Sequence, residues 1–167
     1  MTFHSHISEY NAARKEDLAD FKALIDVYTI DTLHSEISKR RRAHSKNELS
    51  INGYKELRIL NARLQRKKRA SRRLYFLYDA MRLSDQELDQ LYEIFETNPR
   101  DKAYEIVSNM FSVSKNLADF LLQEDLEEVI EVMVVSIEKD IDNHCATRES
   151  LELALQGKHP FEGGKHE

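Results

Sequence analysis

The chain has 167 residues with a formal net charge of −5, 41% hydrophobic residues, four Gly, two Pro and one Cys. Up to residue 156 its only backbone breakers are Gly53 and Pro99, which excludes sheets and barrels rich in tight turns and the glycine loops that cradle nucleotide phosphates. The lone Cys145 has no internal disulfide partner, and there is no signal-type segment or run of about 18 apolar residues, so the expectation is an all-α cytoplasmic protein without a membrane span.

Helical spacing predicts a bundle of about six to seven helices, one of them long and basic. Ser8 is placed to cap a first helix reaching about Val27, with Leu18, Phe21, Leu24 and Ile25 on one apolar face. Thr29 caps a second, from Ile30 to about Ala43, whose first-turn Asp31 and last-turn Lys39 to Arg42 both suit the helix dipole. Ser45-Lys46-Asn47-Glu48 has the form of a capping box for the long helix, which runs to Met81 unless Gly53 bends or splits it. Its seam is Leu57, Leu60, Leu64, Leu74, Tyr78 and Met81, interrupted by Lys67 and Ser71.

A second capping box, Ser84 to Glu87, opens a helix that stops at Asn98-Pro99, since the residue before proline leaves the α region. Helices from about Arg100 to Phe111 and from Ser114 follow. Leu126, Val129, Ile130, Met133, Ile137 and Ile141 define the central core helix, with Val132, Val134 and Val135 widening its stripe; the β-branched content leaves a buried strand as the alternative. Thr147 caps a last helix to about Leu155, and residues 157–167 read as a disordered tail. The division expected is a basic helical part at 1–82 and an acidic helical part at 83–156.

Charge is strongly segregated. Residues 39–73 hold 14 Lys or Arg against Glu48 and Glu56, a net +12, while the remainder holds 11 bases against 28 acids, a net −17. Two clusters stand out: Lys39, Arg40, Arg41 and Arg42 at one helix end, and Arg63, Arg66, Lys67, Lys68, Arg69, Arg72 and Arg73 along about 16 Å of the long helix. Such density calls for anions alongside. These can be nucleic-acid phosphates, bound in a salt-dependent way, an acidic protein partner, or the acidic helices of the same fold. Few aromatics interleave with the bases, which disfavours single-strand stacking.

Other constellations carry less. Arg100 to Gln123 has a helix-turn-helix outline, but Asp119, Glu124 and Asp125 would face phosphates. Glu127-Glu128-x-x-Glu131 resembles half of the EExxE magnesium pattern of all-α nucleotide pyrophosphatases, without the ExxD half. Asp31 and His34 alone do not complete a metal site. No catalytic residue, metal or cofactor is expected.

Thr29-Ile30-Asp31-Thr32-Leu33, then Ile37, Lys39, Ser45 and Asn47-Glu48-Leu49, resemble the Hha/YmoA family of haemolysin-expression modulators over about residues 18–65. The resemblance implies a small, non-enzymatic, all-α protein that binds the nucleoid-structuring protein H-NS or a relative and adds positive charge to its assembly on DNA. It assigns partner contacts to Thr29, Ile30, Asp31, Leu33 and Ile37. Where the family carries an Asp-His-Arg group, this chain has Leu57-Arg58-Ile59. A fainter pattern, Asn98-Pro99 with Phe111, Ser114, Ala118, Leu121 and Leu122, is similar to the helical dimer gate of type IIA topoisomerase A subunits and implies a homodimerising module. The functional expectation is a nucleoid-associated or transcription-modulating protein; the alternative is a protein-protein adaptor or inhibitor whose basic helix is paired with its own acidic helices.

Overall fold

The computed structural model describes residues 12, 15, 16, 18–110 and 115–161. Among them every regular element is a helix. The backbone is helical over 18–25 and then forms α1 (Ile30–Ser45), α2 (Ile51–Met81), α3 (Asp85–Thr97), α4 (Arg100–Met110), α5 (Lys115–Leu121), α6 (Leu126–Asp142) and α7 (Arg148–Leu155). No described helix is long and apolar enough to cross a membrane. Residues 126–141 form a helix and not the alternative strand.

The chain divides into two compact units between Lys68 and Arg69, inside α2. In the first unit, Ile25, Leu33, Ile37, Leu60 and Leu64 form a core, with Phe21, Tyr28 and Leu57 packed against it. Leu24, expected on the buried face of its helix, is instead 55% exposed. In the second unit the later part of α2 contributes to two cores. Ala70, Leu74 and Leu77 pack with Met133, Ile137 and Leu151, and Ala80 packs with Leu91, Tyr104, Val107, Leu117 and Val129. The expected boundary at residue 82 therefore falls within the second unit, because the tail of the long helix supplies core side chains to the helices that follow it. On α6 the widened stripe holds at Val134, which packs against the core, but not at Val132 and Val135, which are exposed.

Local chemistry explains most helix ends. Thr29, Ser84 and Thr147 each accept a hydrogen bond from the backbone N–H three residues on, satisfying an otherwise orphaned donor. Replacing Ser84 by Ala should cost about 1 kcal/mol of stability, read as a shift in the urea midpoint without a change in slope.

The first expected capping box fails. Ser45 is the last residue of α1 and donates its hydroxyl to the Arg41 carbonyl. Asn47 takes a left-handed φ of 57°, its N–H bonds to His44 O, and Glu48 N–H reaches back to Ala43 O at 2.9 Å. This is a Schellman ending, and it consumes the residues that looked like a helix start. The long helix opens later, where Ser50 Oγ accepts from Gly53 N–H at 3.0 Å. Gly53 neither splits α2 nor lies outside it.

The same ending recurs twice. After α6, His144 (φ 61°) and Cys145 bond back to Ile141 O and Asp140 O; after α7, Gly157 (φ 68°) and Lys158 bond back to Ala154 O and Leu153 O. Only one of the three left-handed positions is glycine, which is how so glycine-poor a chain turns its corners. The last turn also corrects the expected disordered tail. Pro160 and Phe161 are buried, and Phe161 meets the Tyr75 ring edge-on at 5.4 Å. The rest of that tail, the Ser8 cap, the Ser112 to Ser114 turn and the Ser114 cap lie outside the described residues.

Candidate polyanion interface

The helical segment 18–25 and the first half of α2 leave between them an open groove of about 670 Å³. Its floor is apolar, formed by Leu18, Ile59 and Ala62. Its walls are basic: Lys15 and Lys22 from one side, Lys55, Arg58, Arg63 and Arg66 from the other. The placement follows from helical periodicity. Lys15 and Lys22 are seven apart, and Lys55, Arg58, Ala62 and Arg66 follow the i, i+3, i+7, i+11 spacing of a single helix face. Among the described residues, no carboxylate lines the groove. Arg63 is bonded to the Asp26 carboxylate, whereas Lys15, Lys22, Lys55, Arg58 and Arg66 form no ion pair among the described residues. Glu16 and Asp20 are exposed but face elsewhere.

The expected nucleic-acid residues divide into two kinds. Arg40 is held inside the first unit: its Nε and Nη2 donate to Glu56 Oε2 at 3.1 and 2.7 Å, and its Nη1 donates to Glu36 Oε2 at 2.9 Å. The Arg40 bond to Glu36, with that from Lys39 at 3.1 Å, holds the Glu36 carboxyl below its ordinary range. Glu36 therefore contributes stability above the ordinary carboxylate value that is lost as pH falls through its lowered one. Acid unfolding of Glu36→Gln should lack that component.

Lys67 is the larger surprise. It is only 3% exposed, and its ammonium donates to the main-chain carbonyls of Tyr28 and Asp26. The residue that interrupts the apolar seam is thus an internal cap for the turn after segment 18–25. In the second unit, Arg73 Nε lies 3.2 Å from Asp140 Oδ2. Burial pushes the Asp140 carboxyl up, opposed by Arg73 and Arg69. Arg40, Arg63, Lys67 and Arg73 are accordingly structural, while Arg41, Arg42, Arg66, Arg69 and Arg72 are exposed, Lys39 largely so, and Lys68 half-buried.

The residues assigned to partner contact by resemblance serve the fold of the first unit. Thr29 caps α1, Asp31 sits in its first turn, Leu33 and Ile37 are buried in the core, and Ile30 packs against it. Leu33 and Ile37 therefore offer no surface to a partner. Lys15, Lys22, Lys55 and Arg58 were missed as site residues because none lies in a dense run; their helical spacing was the available signal.

The remaining candidates do not assemble. Glu127, Glu128 and Glu131 are exposed, and no group of three metal-ligating side chains occurs among the described residues. In the helix-turn-helix outline, α5 buries Leu117, Ala118 and Leu121, and Asp119 is bonded to Arg100 at 2.9 Å. Comparison with family models, curated proteins and solved structures returned no match.

Proposed function

We propose that this chain is a non-enzymatic, cytoplasmic nucleic-acid-associated protein that contributes a basic surface to a DNA-bound assembly. The observation that carries the reading is the groove itself, where, among the described residues, five cations without an ion pair surround an apolar floor and no carboxylate intervenes. Unpaired cations held that close repel one another, and phosphates relieve the repulsion while releasing counterions. Four of the expected bases are consumed by the fold, so the remaining exposed ones set the strength of binding. An H-NS-type partner stays part of the proposal through the Hha/YmoA resemblance, with contacts outside the buried Leu33 and Ile37.

The apolar floor of Leu18, Ile59 and Ala62 favours a second reading, an adaptor that takes an acidic amphipathic segment of another protein. Titration of the intact chain with duplex DNA at several salt concentrations, with and without an H-NS-type protein, separates the two. Binding whose logarithm falls linearly with log salt supports the first reading. Absence of DNA binding at low salt sinks it.

A further inference from the structure

The second unit holds another concavity, of about 470 Å³, that polyanion binding does not use. One wall is a strip of α2: Arg72, Phe76 and Asp79 follow the i, i+4, i+7 spacing and share a face. Phe120 of α5 and Met133 of α6 close the other side, and the Phe76 and Phe120 rings meet edge to face at 5.3 Å. Tyr75 and Phe120 remain 37% and 40% exposed at the rim. The volume lies within the range of small-ligand sites, which pair an apolar lining with a few polar groups.

The charged groups around it are unequal. Arg73 is committed to Asp140 and Asp119 to Arg100. Asp79 has no hydrogen bond or ion pair among the described residues, although it is half-buried; burial pushes its carboxyl up, opposed only by Arg82. A carboxylate in that position has lost water without gaining a hydrogen bond, and Arg82 offsets the loss only through space. Aromatic faces next to it offer a further attraction to a cation.

We infer that this cavity binds a small organic cation with an aromatic body, its ammonium on the Asp79 carboxylate and its ring among Phe76, Phe120 and Met133. Arg72 lies about 10 Å along the helix from Asp79, and Arg82, the cation that acts on Asp79, lies outside the cavity lining, its guanidinium over the Tyr78 ring and bonded to the Tyr78 hydroxyl. A purely anionic ligand would have only Arg72 to gain and would face Asp79.

The test uses the intact protein and three probes of one shape, 2-phenylethylamine, 2-phenylethanol and phenylacetate, titrated by calorimetry and ligand-observed NMR. The amine should bind at least tenfold more tightly than the alcohol, and phenylacetate most weakly. Asp79→Asn should bring the amine down to the alcohol's affinity and leave the alcohol unchanged. Phe120→Ala, which alters a ring already at the surface, should weaken both amine and alcohol. Any other ranking overturns the inference: equal binding of amine and alcohol, tightest binding of phenylacetate, no amine binding at millimolar concentration, or an Asp79→Asn variant that is folded by circular dichroism and keeps the amine's advantage.

Discussion

Replacing Lys67 by Ala is expected to lower the stability of the first unit by about 2–4 kcal/mol, the sum of lost charge-assisted hydrogen bonds and lost packing of the aliphatic stem. The ammonium serves carbonyls of Asp26 and Tyr28 at the end of segment 18–25, where a cation also meets the negative end of the helix dipole. Lys67→Met separates the two contributions. It keeps the stem volume and removes the donors, so it should lose about 1.5–3 kcal/mol. Urea unfolding followed by circular dichroism reads both variants. A methionine variant as stable as the parent would show that water, and not the ammonium, satisfies those carbonyls. Under conditions where Lys67→Met is folded, its DNA affinity should be unchanged, because a side chain so buried cannot reach phosphate.

The second large effect belongs to the groove. Changing Lys22, Arg58 and Arg66 together to Gln removes three of its unpaired cations. The slope of log affinity against log salt should then fall by about 2.7, taking 0.9 per phosphate neutralised, with affinity at low salt lower on the order of 10- to 100-fold. Fluorescence anisotropy with a labelled duplex, from low to moderate salt, measures both. Stability should stay within about 0.5 kcal/mol, since exposed charges without partners contribute little. Changing Arg41 and Arg42 to Gln gives the contrast. Both are exposed but neither lines the groove, so the loss per charge removed should be smaller. Equal losses per charge removed from the two sets would mean that bulk charge and not the groove binds DNA.

How much of this could be read from the amino-acid order depends on how local the responsible interaction is. Thr29, Ser84 and Thr147 were legible as caps because their bonds span three residues. Ser45 misled for the same reason in reverse: a cap and a Schellman ending draw on overlapping residues, and the left-handed Asn47 decides between them. The basic run from Arg63 to Arg73 was visible at once, but which of its members face solvent was not. That depends on Asp26, the Tyr28 carbonyl and Asp140, each remote in the chain. The groove was hidden because it joins Lys15 and Lys22 to Lys55 and Arg58, residues unremarkable in either segment alone. Phe161, in a stretch without periodicity, is buried by aromatic and aliphatic neighbours from other helices.

The sharing of α2 between two units limits what cutting the chain can report. A fragment ending near residue 82 would keep the first core but carry Ala70, Leu74 and Leu77 stripped of Met133 and Ile137, an uncovered apolar ridge that invites aggregation. One ending at Lys68 would place Lys67, the cap for segment 18–25, in a fraying helix end. Nucleic-acid retention by either piece would then mix specific binding with the stickiness of a broken core. Point substitutions in the uncut chain are the cleaner instrument.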